Sequence, residues 1–345
     1  MSLRNPSSLL ASPTYCTSYP FPMGKLPPVL LALYIGLSLL LTFIHAINVN
    51  TRRDNARERR HMEIIEGRGK APYGYRLLVP EIAEPIRRRL ENVGFTRSTA
   101  REAAYLSLRW AFTLSGLLLF HAFLRAWFDA AWTVAGTLLF AALHPATYHY
   151  YWFQPASALD LALWLLAARL AQTRISAWWL LPIVMLGAFN RETIVFAPLL
   201  YLALAYGRLP LRRLVIPLGA ALAVFACVFL GLRWWIIGPL PRVVPMSRVL
   251  QQNWNNPWWV VYAILFFGVL WVLPVIAWRR VRPELQRLVL VMSPYLVLQI
   301  LYGRIREVRL LLPLTMALIP VALDLLRVSM KNSRAERHSV DPPSL

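Results

Sequence analysis

Residues Leu180–Tyr206 read LLPIVMLGAFNRETIVFAPLLYLALAY. Two apolar runs flank the polar break Asn190-Arg191-Glu192. Crossing the hydrocarbon takes about 20 apolar residues, so each run is short for a crossing of its own. Both are also more apolar than the surface of a soluble domain accepts. A tight helical hairpin, or one interrupted crossing inside a bundle, satisfies both facts. Irregular backbone at membrane depth survives where it is buried in protein or lines an aqueous cavity. The same polar break therefore points to a membrane fold and to a candidate site.

Outward from this stretch, apolar runs recur at 28–48, 105–127, 131–152, 155–171, 177–190, 193–207, 213–237, 258–277, 287–302 and 309–327. The expected fold is an all-α, polytopic transmembrane helical bundle of about ten spans, with eight to eleven compatible with the pattern. Composition agrees, since 58% of the residues are hydrophobic and 15% charged, with a mean hydropathy of +0.48. Soluble domains are nearer half apolar and a quarter charged. These values exclude a soluble enzyme with one anchor, a disordered regulator and a disulfide scaffold. The two cysteines, Cys16 and Cys227, form neither a metal cluster nor a disulfide framework.

The net charge of +21 invites a nucleic-acid reading. The basic residues lie mainly between and at the ends of apolar runs, however, where the positive-inside bias and anionic headgroups account for them. No nucleic-acid partner is expected. With ten spans and the N-terminus inside, sixteen basic residues fall on inner tails and loops and eight on short outer segments. Thirteen more lie in the long segment 51–104, placed outside together with eight acids, half of the chain's acidic residues. This segment opposes the charge bias, but it is close to the length at which the bias stops acting. The expected organisation is a cytoplasmic tail at 1–27 with no removable signal, one transmembrane domain at 28–329, and a disordered cytoplasmic tail at 330–345. Within 51–104, Ile82, Ile86, Leu90 and Val93 recur at helical spacing opposite Arg87, Arg88 and Glu91. That pattern predicts an amphipathic helix, either in the membrane interface or covering the end of the bundle.

Ionisable residues inside spans are costly and usually face an interior or a cavity. Under this threading they gather on the outer side: Arg109; His144, Tyr148 and His149; Asp160; Asn190, Arg191 and Glu192; and Arg304, Arg306, Glu307 and Arg309. Converging guanidiniums suit a phosphate or pyrophosphate, and carboxylates beside them suit general-base work on a hydroxyl. Structural roles fit the same residues. Glu192 can cap a helix, Asp160 can pair with a buried arginine, and the 304–309 group can anchor at the interface. His144 and His149 are five apart on different helix faces, which argues against a shared metal, and no metal ligand set is read.

Several segments carry a family likeness. They are Tyr75–Pro80 (YRLLVP), Asn190–Thr193 (NRET) and Arg306–Pro313 (REVRLLLP), together with an early acid in a long external loop after the first span. Over nearly the whole chain the pattern resembles the GT-C class, polytopic glycosyltransferases that use polyprenyl-phosphate sugars, and most closely a bacterial branch of it. The resemblance implies an active site on the periplasmic face of the cytoplasmic membrane, an inverting transfer, and a polyprenyl-phosphate-linked sugar donor. The acceptor would be a glycan, lipid or protein. It implies a catalytic carboxylate at Asp54, with Glu63 and Glu66 as substitutes; members often carry paired acids there, whereas Asp54 stands alone among Arg52, Arg53 and Arg57. A divalent metal such as Mg or Mn is left open.

Together these readings give Asp54, Glu192 and Asp160 as catalytic candidates. Tyr75, Arg76, His149, Arg191, Arg304, Arg306, Glu307 and Arg309 are the candidates for binding substrate and phosphate. The alternatives are a transporter or flippase of a lipid-linked sugar or other anion, and a structural subunit of a larger assembly. A reporter tag inserted in 51–104 is expected to report the external side. A cytoplasmic signal there would invert the threading.

Overall fold

The computed structural model describes residues 26–50, 54–69, 73–148, 155–173, 175–237, 246–305 and 307–340, with the backbone alone at 49–50, 54–57, 73, 236–237 and 331–340. Among the described residues all regular structure is helical and there is no β-strand. The helices are α1 (Pro28–Asn50), α2 (Asp54–Ile65), α3 (Leu78–Asn92), α4 (Arg97–Leu124), α5 (Ala130–Leu143), α6 (Ala156–Gln172) and α7 (Leu180–Asn190). They continue with α8 (Ala197–Ala205), α9 (Leu211–Leu232), α10 (Met246–Trp254), α11 (Pro257–Phe267), α12 (Leu273–Ile276), α13 (Pro283–Tyr302) and α14 (Thr315–Val340). Short 3₁₀ turns lead into several of them, notably Glu192–Phe196 before α8 and Val308–Leu314 before α14.

Local sequence accounts for the boundaries. Thr96, Asp129 and Asn256 accept a backbone N–H at the starts of α4, α5 and α11, each satisfying a donor that the first helical turn leaves open. Pro257 and Pro283 open their helices, where a missing N–H costs nothing.

Six segments are long and apolar enough to cross a membrane: Pro28–Asn48, Arg97–Leu124, Leu211–Trp235, Pro257–Ile276, Pro283–Tyr302 and Val308–Met330. The expected runs at 177–190 and 193–207 are apolar helices too short for that, and α5 and α6 have 14 and 17 residues. Side chains on the long helices divide by position. The most apolar 18-residue stretch of Val308–Met330 is 83% buried, whereas that of Leu211–Trp235 is 22% buried and lies at the rim of the bundle. Exposed Phe43, Ile216, Leu230, Leu265, Ile276 and Leu290 present a surface too apolar for water, as a membrane protein requires.

Two ends of the bundle are fixed by bonds between distant segments. At one, Arg282 pairs with buried Asp324 of α14 at 3.0 Å, and Arg327 donates to the Trp127 carbonyl at 3.2 Å. Arg287 donates there to the Ala203 carbonyl at 2.9 Å. At the other end the starts of α6 and α8 meet the turn at 191–193 and the segment 304–314. Charged side chains thus sit where chain reversals collect, and the apolar middle is left to packing.

Two expectations are corrected. The segment after Met330, expected to be disordered, is helical to Val340. In α3 the apolar face was expected to turn inward with Arg87 outward. Ile82 and Ile86 do pack inward, but Val79, Ala83, Glu84 and Arg87 are buried with them and Val93 is 72% exposed. The helix packs on α4 and α7, and ion pairing of Glu84 with Arg87 lets charge occupy the inner face.

One close approach joins the short helices. A Cβ on Gly187 would lie 2.7 Å from the Cβ of fully buried Ile194, so α7 and the following turn touch only because that side chain is absent. Gly187→Ala is expected to cost about 1–3 kcal/mol by overpacking and to lower the melting temperature in detergent. An unchanged or higher value would contradict this contact.

Candidate functional site

The site begins at the break that the sequence singled out. At Arg191 the backbone leaves the helix for an extended conformation, with φ −158° and ψ 146°. Three successive bonds then tie the break to the first turns of α6. The Asn190 amide donates to the Ala156 carbonyl at 2.8 Å, Arg191 Nη1 donates to Ser157 Oγ at 2.8 Å, and the Thr193 hydroxyl donates to Asp160 Oδ2 at 2.6 Å. Asn190, Arg191, Thr193 and Asp160 are all buried. Such groups remain in an apolar bundle only because they satisfy one another.

Glu192 reaches toward the segment ahead of α3. Arg76 Nη2 donates to its Oε1 at 2.9 Å. Arg76 is delivered by a tight reversal in which a Cβ on Gly69 would lie 2.7 Å from the Gly74 Cα. Beside it, Arg233 at the end of α9 donates to the Tyr75 hydroxyl at 3.2 Å and stacks its guanidinium 4.7 Å from that ring.

The late loop supplies a second carboxylate–guanidinium pair. Arg309 Nη2 donates to Glu307 Oε2 at 2.6 Å. Burial works to raise the Glu307 carboxyl. The charges of Arg309, Arg304 and Arg191, with the Arg309 hydrogen bond, outweigh burial and hold it below the ordinary carboxylate range. The Arg191 charge acts on Asp160, Glu192 and Glu307 together, so the mid-chain break and the late loop share one electrostatic field. Buried Asn253 of α10 braces the loop, donating to the Gly303 carbonyl at 3.0 Å and accepting from the Ile305 N–H at 3.1 Å. Next to it lies an apolar cavity of about 170 Å³, lined by Val260, Ile264, Leu296, Ile300 and Leu310, with Arg304 and Glu307 at its polar margin.

Among the described residues, three oxygens in this region accept no hydrogen bond: Asp160 Oδ1, Asn190 Oδ1 and Glu192 Oε2. Buried acceptors without donors are costly, and a group that donates hydrogen bonds would satisfy them. No group of three or more His, Cys, Asp or Glu side chains arranged for a metal ion occurs among the described residues.

Of the expected residues, Tyr75, Arg76, Asp160, Arg191 and Glu192 come together, and Glu307 with Arg309 lies within reach of the Arg191 charge. Arg304 is exposed at the cavity margin. Asp54 opens α2, but its side chain, like Arg306 and His149, lies outside the described residues. Ser157, Arg233 and Asn253 were not anticipated as site residues. Ser157 and Asp160 are three apart on α6, a spacing that placed both on one face from the start. The partnership of Arg233 with Tyr75 spans 158 positions and left no local mark.

Comparison with known protein families, with curated proteins and with solved structures finds no match for this chain.

Thr193→Val keeps the shape and deletes the hydroxyl that Asp160 accepts. It is expected to cost about 1–3 kcal/mol, because a second Asp160 oxygen loses its donor. Thr193→Ser is expected to restore most of that loss in a thermal melt. Equal stability of both variants would remove Asp160 from the network.

Proposed function

We propose that this protein is a membrane glycosyltransferase of the GT-C type, moving a sugar from a polyprenyl-phosphate carrier to an acceptor hydroxyl on the outer face of the membrane. In this reading the chain crosses about ten times with both termini inside. The observation that carries the reading is the Asp160–Arg191–Glu192 constellation, in which carboxylate oxygens lacking donors stand beside guanidiniums.

The chemistry follows from those groups. A carboxylate takes the proton of the acceptor hydroxyl as its oxygen attacks the anomeric carbon, and the bond to the lipid phosphate breaks on the opposite side. Asp54 remains the first candidate base by its place after the first span, with Glu192 and Asp160 as the others. Arg191 and Arg309, with Arg306, meet the charge that develops on the departing phosphate, where positioned donors give the largest stabilisation. The apolar cavity beside Arg304 and Glu307 offers hydrocarbon a surface next to those cations. Tyr75, held by Arg233, presents an aromatic face of the kind that stacks on a sugar ring.

A transporter or flippase of a lipid-linked anion is the second reading. The interrupted pair α7 and α8 favours it, since discontinuous helices commonly form carrier sites.

Membranes containing the protein are expected to turn over a polyprenyl-phosphate sugar, and loss of the true base is expected to slow transfer by about 100-fold or more. Asp54→Asn, Asp160→Asn, Glu192→Gln and Arg191→Ala would be compared for donor consumption. Full turnover in all four dismisses the site. Movement of intact donor across proteoliposomes without release of lipid phosphate favours the carrier.

A further inference from the structure

Away from the site, a buried polar cluster fastens α2 to the bundle. His61 of α2 is 3% exposed and is held from two sides. Its Nε2 meets Glu84 Oε2 of α3 at 3.0 Å, and its Nδ1 meets the Tyr105 hydroxyl of α4 at 2.8 Å. One tautomer satisfies both contacts, with Nε2–H donating to the carboxylate and Nδ1 accepting the phenol proton. That tautomer is the neutral imidazole.

We propose that His61 is a proton-sensitive latch that holds α2 against α3 and α4 at neutral pH and releases it on acidification. The charged groups around the imidazole set the direction. From α3 it faces Glu84 and Arg87, and from α4 it faces Tyr105 and Arg101. On its own helix, Glu58 is committed to Arg97 and Arg101, at 3.2 Å each. From the Tyr73–Tyr75 turn, the Tyr75 hydroxyl is engaged by Arg233. A proton taken from solution adds to Nδ1 and turns that acceptor into a donor, in a buried place already occupied by two guanidiniums.

Burial holds the imidazole below its ordinary value. The Glu84 hydrogen bond and charge oppose that, and the Arg87 and Arg101 charges reinforce it. The Arg87 hydrogen bond holds the Glu84 carboxyl far below the carboxylate range, so Glu84 stays ionised throughout mild acidification. A depressed imidazole means that the released state takes up the proton first. The docked state is therefore fully favoured above about pH 6.5 and loses that advantage as pH falls below it.

Besides the latch, the Glu58 pairs with Arg97 and Arg101 also restrain α2. Ile64 is its fully buried apolar residue, packed 3.3 Å from the Cβ position of Gly69. Release would free the helix that Asp54 opens, together with the turn that delivers Arg76. That consequence for transfer rests on the function proposed above, whereas the latch itself does not.

The test is hydrogen–deuterium exchange of the full chain in detergent micelles between about pH 7.5 and about pH 5. Exchange is corrected for its intrinsic pH dependence. Protection of 54–65 is expected to fall about tenfold or more as pH drops below about 6.5, while α4 stays protected. His61→Gln, which keeps a donor for Glu84 but cannot be protonated, is expected to hold protection constant over the same range. A flat wild-type profile overturns the latch, as does parallel loss of protection in α4. Should His61→Gln fail to dock at any pH, the wild-type midpoint decides: a value near pH 4 assigns release to carboxylates and overturns the latch.

Discussion

The bond between Thr193 and Asp160, with its neighbours Asn190–Ala156 and Arg191–Ser157, is the constraint on which this end of the molecule depends. An apolar bundle cannot dissolve an amide, a guanidinium and a carboxylate singly. It can hold them when each completes the other. The chain must leave the helix at Arg191 for its side chain to turn back on α6, and that same departure exposes Glu192 to Arg76. Irregular backbone, buried charge and the meeting of three distant segments are one physical event.

Burial then sorts the remaining parts by what they must exclude. The last helix carries the buried acid Asp324, which Arg282 answers at 3.0 Å at the end of the bundle away from the site. The rim helices α1, α9, α11 and α13 keep most of their apolar surface outward. Among the described residues many polar interactions gather at the two ends and the site, where chain reversals supply side chains from several elements, and the buried Tyr34–His121 bond between α1 and α4 is one of the others. Dispersion and close packing hold the middle, as the Gly187–Ile194 contact illustrates.

Electrostatics gives the candidate site its character. Arg76, Arg191, Arg233, Arg304 and Arg309 stand against Asp160, Glu192 and Glu307, so the described site is cationic yet mixed in sign and still leaves oxygen acceptors open. A purely cationic pocket would bind any phosphate. A site of mixed sign can hold an anion and accept a proton from a hydroxyl beside it, which is what the proposed group transfer would demand.

By itself the sequence determined the helical class and marked the break in helix at 190–193, because hydropathy and helix punctuation are local properties. Its reading also named Asp160, Arg191, Glu192 and the 304–309 group, since charge inside an apolar run stands out without any neighbour. Tertiary structure alone decided the partners. Arg76 with Glu192 lies 116 positions apart and His61 with Tyr105 44 apart, distances over which no spacing rule operates. It also carried Arg87 of α3 inside by ion pairing with Glu84, where periodicity marked it for solvent, while Ile82 and Ile86 stayed on the packed side. The physical reason is that apolar burial is additive along a segment, whereas a buried charge is acceptable only in company, and its company is chosen by the fold.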